Sequence, residues 1–153
     1  NYENARQRKI ELCHLTMSDA VKRAEDIGCE LVIENIEDKD PYARIELAES
    51  FGSQAVKISI DTGHAHYAHG TTDAPPVDYY VKAAGNRLRH IHLQDADGYA
   101  DRHWTLGQGT INWHSVFGAL SKLESDPRLI IELRDHSGLP ASIANMAALG
   151  LAQ

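Results

Sequence analysis

Short apolar runs alternate with longer amphipathic stretches along this chain. Residues 5–27 space Ile10, Leu12, Leu15, Met17, Val21, Ala24 and Ile27 at roughly helical intervals among Arg, Lys and Glu, which predicts a helix stopped by Gly28. Leu31-Val32-Ile33 follows and ends at Glu34-Asn35. Asp40-Pro41 reads as an N-cap with proline at the first helical position, opening a helix to about residue 50 that Gly52 ends. Residues 56–61 read as a strand, and 62–76, with Gly63, Gly70 and Pro75-Pro76, as a loop. A helix from about Val77 to Ala84 stops at Gly85, and Leu88 to Leu93 is the third strand. Residues 94–112 are polar and aperiodic. Asn112 caps a predicted helix from Trp113 to about Glu124, which Asp126-Pro127 breaks. Leu129 to Leu133 is a fourth strand, and Pro140 to Leu149 an Ala-rich last helix.

Strands alternating with helices predict an α/β fold with a parallel sheet, its strands at about residues 30–35, 56–61, 88–94 and 129–134. A closed parallel barrel takes eight strands. The chain therefore reads as a half barrel within one domain, residues 1–153, with no low-complexity segment or linker.

Composition narrows the class. Hydrophobic residues are 42% and charged residues 24% of the chain, as in an ordinary globular protein, and no run is long enough to cross a bilayer. The start, Asn1-Tyr-Glu-Asn-Ala-Arg, lacks signal-peptide character and an initiator Met, so a processed chain or a fragment is expected. The net charge of −7 argues against a nucleic-acid surface, an objection that a bound metal cluster would weaken. Cys13 and Cys29 read as reduced and structural, consistent with a cytoplasmic protein, although a disulfide between them stays open.

The candidate chemistry sits at the strand ends. Glu34, Asp61, His92 and Glu132 each end an apolar run, a costly placement beside a core unless something pairs with them. Singly, each has an ordinary explanation: a solvated acid entering a loop, a turn cap, a structural histidine. Chemistry in parallel α/β folds collects at the carboxyl ends of strands. The shared position therefore points to one divalent ion. Carboxylate and imidazole ligands without thiolate suit Mn, Zn, Fe or Co, with room for more than one ion. His64, Asp101 and His103 are candidates for a second metal or for substrate, and Trp104 for an apolar wall against a sugar face, with core packing as its alternative. His66 and His69 read as surface or supporting residues, His14 and His136 as structural or solvated, and Gly107-Gln-Gly109 as a turn. Such a site suits proton transfer beside a metal-polarised sugar carbonyl, or attack of a metal-bound hydroxide on a phosphodiester.

These residues carry a resemblance. Ile33-Glu34-Asn35, Asp61-Thr-Gly-His64-Ala-His66, His92-Leu-Gln-Asp95-Ala-Asp-Gly98, Asp101-Arg-His103-Trp-Thr-Leu-Gly107-Gln-Gly109-Thr-Ile and Ile131-Glu132 resemble, in order, the C-terminal half of the xylose isomerase-like barrel superfamily. That group includes sugar phosphate isomerases and epimerases and the endonuclease IV, or AP endonuclease family 2, enzymes. The resemblance implies Glu34, Asp61, His92 and Glu132 as metal ligands, with Glu34 and Glu132 also the catalytic acid/base pair. It implies His64 as a substrate or metal histidine, and Asp101 and His103 as ligands of a further zinc in the endonuclease branch. The expected function is a metal-dependent sugar or sugar-phosphate isomerase/epimerase. The alternatives are a zinc endonuclease cutting DNA at abasic sites, and an inactive fragment that binds or assembles. Half a barrel leaves two open strand edges, so self-association or a missing N-terminal half is expected.

Overall fold

The structure, a computed structural model, describes residues 2–151. The elements run α1 (Tyr2–Ile27), β1 (Leu31–Glu34), α2 (Tyr42–Ser50), β2 (Val56–Asp61), α3 (Thr62–Thr72), α4 (Val77–Ala84), β3 (Leu88–Leu93), α5 (Trp113–Leu120), β4 (Arg128–Ile131) and α6 (Leu139–Ala148). The four strands form one parallel sheet in the order β1-β2-β3-β4. This is the α/β architecture expected from the alternation, with half the strands of a closed barrel.

One face of the sheet meets the helices. Val56, Ile58 and Ile60 of β2 and Leu88, Ile91 and Leu93 of β3 are buried in a core that also holds Val77, Tyr80, Val81, Trp113 and Val116. The β2–β3 register slips once: Ile58 pairs with Leu88, but Ser59 pairs with His90. Arg89 is the extra residue of this bulge, which reverses the alternation of β3 at that point. Leu88 and Ile91, three apart, both enter the core, while His90 and His92 share the other face with Ser59 and Asp61.

The edges are poorly covered. Val32 on β1 and Leu129 and Ile130 on β4 are exposed. The apolar face expected of α1 is buried only at Val21 and Ala24, whereas Leu12, Leu15, Met17 and Ile27 are exposed.

Several boundaries depart from the sequence pattern. Residues 62–72, expected as loop, are helical. The buried positions of α3 are Thr62, Gly63, Ala65 and Ala68, too small to register as an apolar stripe, and Asp61 caps the helix by accepting the His64 N–H at 2.7 Å. Helix α2 opens at Tyr42, with Pro41 in the cap position and Asp40 Oδ1 accepting the Tyr42 N–H at 3.0 Å. Helix α5 ends at Leu120 rather than near Glu124, because the Lys122 and Leu123 amides turn back to Ala119 and Leu120. Strand β4 ends at Ile131, so Glu132 lies just beyond it, although its N–H still donates to the Leu93 carbonyl at 2.9 Å. Cys13 and Cys29 are free thiols. No helix among the described residues is long and apolar enough to cross a membrane.

Candidate metal centre

Parallel strands end together, and here they deliver acids and imidazoles to one end of the sheet. Glu34 closes β1, Asp61 closes β2, His92 is the penultimate residue of β3, and Glu132 follows β4. The structure brings Glu34, Asp61 and His92 together, and Glu132 joins this group through His92. Glu34 Oε2 lies 2.8 Å and Glu132 Oε2 3.1 Å from His92 Nδ1. Ligand atoms of Glu34, Asp61 and His92 lie within 4.8 Å of one another.

Asp61 is fully buried, and burial pushes its carboxyl above the usual carboxylate range, with the neighbouring His64 pulling the other way. Asn35 locks the strand end: its amide donates to the Asp61 carbonyl at 3.2 Å and accepts the Asp61 N–H at 2.8 Å. The Asn35 carbonyl also faces His64 Nδ1 at 3.0 Å. A carbonyl only accepts, so Nδ1 carries the proton and Nε2 is the nitrogen left for a ligand role. Burial pulls the His64 imidazole down, but Asp61, the Asn35 carbonyl, Asp101 and Glu34 outweigh it and hold the imidazole above its ordinary value.

His64, Asp101 and His103 form a second set, their ligand atoms also within 4.8 Å of one another. His64 Nε2 is 3.7 Å and His103 Nε2 3.1 Å from Asp101 Oδ1. Burial pushes the Asp101 carboxyl up, but the Gln94 amide, His103 and His64 together hold it below the usual carboxylate range.

A cation fits the first set. His92 Nδ1 is buried without a well-aligned hydrogen bond, although two carboxylate oxygens flank it. Among the described residues, the ion pairs of Glu34, Asp61, Asp101 and Glu132 are all with histidines, never with Lys or Arg. Convergent carboxylates without a permanent positive charge, around an imidazole nitrogen that makes no aligned hydrogen bond, fit the oxygen-and-nitrogen donor set of a borderline-hard divalent ion.

The remaining candidates have assigned surroundings. Trp104 is half-buried on the loop that carries Asp101 and His103. Its backbone exchanges two 3.0 Å hydrogen bonds with Asp95, and the Arg102 guanidinium lies 5.3 Å from its ring centroid. Arg102 is itself forked onto Asp97. His66 pairs with Thr110 Oγ1 at 2.7 Å, tying α3 to this loop, and burial lowers its imidazole. His69 meets the Ala74 carbonyl, and His14 stacks on Phe51. His136 is exposed.

Two supporting residues lie outside the set of candidate site residues. Ser59 Oγ lies 3.1 Å from His90 Nδ1 beneath the site, and the His90 ring meets His92 edge-on at 4.7 Å. Asp95, fully buried, accepts the Trp113 indole N–H at 2.9 Å and the amides of Ala96, Gly107 and Ile111. The Gly107-Gln-Gly109 segment thus gives the Gly107 amide to a carboxylate at 2.8 Å, and the Gln108 N–H turns back to the Thr105 carbonyl at 3.0 Å. A Cβ at Gly109 would collide with that carboxylate. The Asp-Ala-Asp-Gly sequence hid this role, because any of its acids could have faced solvent.

The sequence model described as xylose isomerase-like TIM barrel matches residues 6–150. An uncharacterized protein of Methanocaldococcus jannaschii is 30% identical over 125 residues, covering 76% of this chain and 41% of that protein. A fructoselysine 3-epimerase of Escherichia coli O157:H7 is 28% identical over 106 residues, 61% of this chain and 34% of its own length. Among solved structures, a D-tagatose 3-epimerase-like protein superposes with a TM-score of 0.76 at 25% identity, covering 91% of this chain and 53% of that one. A Thermus thermophilus protein from a crystal soaked with zinc chloride gives a TM-score of 0.72 at 28% identity, covering 100% of this chain and 57% of that one. The chain spans about half the length of these structures and less than half of both these relatives.

Proposed function

The chain belongs to the xylose isomerase-like TIM barrel family, and we propose that it supplies the metal-binding, proton-transferring half of a sugar isomerase or epimerase. The observation that carries this reading is the approach of Glu34 and Glu132 to one His92 nitrogen from opposite edges of the sheet. A divalent ion held by Glu34, Asp61, His92 and Glu132 would polarise a substrate carbonyl and its neighbouring hydroxyl. Glu34 and Glu132 then stand on either side of the carbon next to that carbonyl. One carboxylate takes the proton from carbon, and the other returns a proton on the opposite face, which inverts that centre. Asp61, buried and twice hydrogen-bonded, serves as an anchor rather than a base. The epimerase names of two relatives support the same chemistry.

Substrate-facing loops and a closed barrel need further strands. We propose that the open edges at β1 and β4 are covered either by a second copy or by the N-terminal half of a longer polypeptide, for which residues 1–153 form the C-terminal half. A monodisperse monomer by light scattering, stable on heating, would argue against both.

The test is solvent-proton exchange in the assembled barrel. A ketose incubated in deuterated water is expected to gain deuterium at the carbon next to its carbonyl, and Glu132→Gln to stop the exchange. Absence of exchange with any ketose, phosphorylated or not, would sink the reading.

The His64–Asp101–His103 set favours a second reading, a zinc phosphodiesterase acting at abasic sites in DNA. The net charge of −7 weighs against it. Cleavage of an abasic duplex by the assembled barrel, without deuterium exchange, would select it.

A further inference from the structure

Gln94, one residue past β3, is fully buried between the two ligand sets, and its side-chain amide is satisfied at both ends. Its Nε2 donates to Asp61 Oδ1 at 3.1 Å and to Asp101 Oδ1 at 2.9 Å, and its Oε1 accepts the His103 N–H at 2.7 Å. The orientation of the amide is determined. Carboxylates only accept and a backbone N–H only donates, so a flipped amide would oppose like groups at every contact. The Gln94 backbone is held as well, its N–H donating to Thr62 Oγ1 at 3.0 Å while that hydroxyl donates to the Gln94 carbonyl at 2.7 Å.

Two neighbours fit this arrangement and little else. A Cβ at Gly63 would overlap the Gln94 amide, so glycine in Asp61-Thr62-Gly63-His64 leaves the space the amide fills. His103 has a left-handed backbone, φ 53°, unusual for a residue other than glycine, and the Gln94 side-chain Oε1 accepts its N–H.

We propose that Gln94 is a positioning residue that joins the two ligand sets, fixing Asp101 and His103 of the outer set against Asp61 of the inner one. The proposal rests on the metal reading above and adds to it a second ion on His64, Asp101 and His103. An uncharged amide suits the task, since its two hydrogens each occupy one lone pair of a carboxylate and leave the others for a cation. The dependence is unequal. Asp61 is also held by the His64 N–H at 2.7 Å, whereas the other partners of Asp101 are His103 and His64, members of its own set. Loss of the amide therefore falls mainly on the outer set.

Cobalt titration tests this, read by the visible absorption of the bound ion, on the wild type, Gln94→Met and Gly63→Ala. Methionine keeps the length of the side chain and removes its hydrogen bonds; alanine at 63 keeps Gln94 and takes its space. The wild type is expected to bind cobalt in two classes. Both variants are expected to keep the inner class and to weaken the outer one about 10–100-fold. Circular dichroism verifies folding, and Gly63→Ala decides the matter if Gln94→Met does not fold. Unchanged outer-class affinity in a folded variant overturns the proposal, and so does a wild type with a single class. A wild type that binds no cobalt sinks the metal reading itself, an outcome distinct from equal binding by wild type and variants.

Discussion

Glu34 ends one outer strand of the sheet and Glu132 follows the other, yet each sets an Oε2 beside the same nitrogen, His92 Nδ1, at 2.8 and 3.1 Å. The intervening register allows it: Asp61 pairs with His92, and the Glu132 amide continues the ladder onto Leu93. Two acids facing one imidazole across a strand end form a site whose charge asks for a cation.

The first consequence concerns metal content. Glu132→Ala leaves His92 and Glu34 in place and removes one oxygen donor. Zinc or manganese affinity is expected to fall by more than about tenfold, with little change in thermal stability, since Glu132 is only half-buried. Metal analysis of dialysed wild type and variant checks this, and equal content in both would remove Glu132 from the ligand set.

Asp95 should be the costliest acid to remove. Asp95→Ala would strand the Trp113 indole N–H and the amides of Ala96, Gly107 and Ile111 in a buried setting. Each stranded donor costs about 1–3 kcal/mol, so a loss of roughly 3 kcal/mol or more is expected in urea unfolding. Asp95→Asn keeps one acceptor oxygen and should cost less. A loss below about 1 kcal/mol for the alanine variant would show that water replaces the carboxylate.

Tyr80 should set an alkaline limit on stability. Its hydroxyl donates to the Asp38 carbonyl, and burial, then Asp38 and Asp40, push the phenol up to about 12. The folded value lies above the unfolded one near 10. The stabilisation held by the neutral phenol is thus complete below about pH 10 and is lost as pH rises toward 12. Tyr80→Phe should cost about 0.5–1.5 kcal/mol at neutral pH for the lost hydrogen bond. It should also flatten the fall between about pH 10 and 12, which urea unfolding across that range would reveal.

Trp104 tests the substrate side. In an assembled, active barrel, Trp104→Ala is expected to raise KM for a sugar while metal content stays constant, the pattern of a group that binds ground and transition states alike. The Arg102 guanidinium over the ring bears on how much of its surface is free for a sugar. Loss of metal or of folding would make the residue structural, and no change in either kinetic constant would place it outside the pocket.

The alternation of apolar runs with amphipathic stretches was enough to establish a parallel four-stranded sheet, because strand and helix periods are local properties of the chain. It was also enough to send Glu34, Asp61, His92 and Glu132 to one end, since parallel strands share their direction. Helix α3 escaped that reading because its buried face is Thr62, Gly63, Ala65 and Ala68, residues that pack by smallness rather than by apolar size. Gln94 escaped it because its partner Asp61 is 33 residues away, and their meeting depends on register. The register itself turns on the bulge at Arg89, which sends His90 and His92 to the face of Asp61. A one-residue slip moves every side chain of a strand to the opposite face, and no local period records it. Which acids and imidazoles share one end of the sheet was therefore decided by sequence; which of them touch was decided by the packing of β2 against β3.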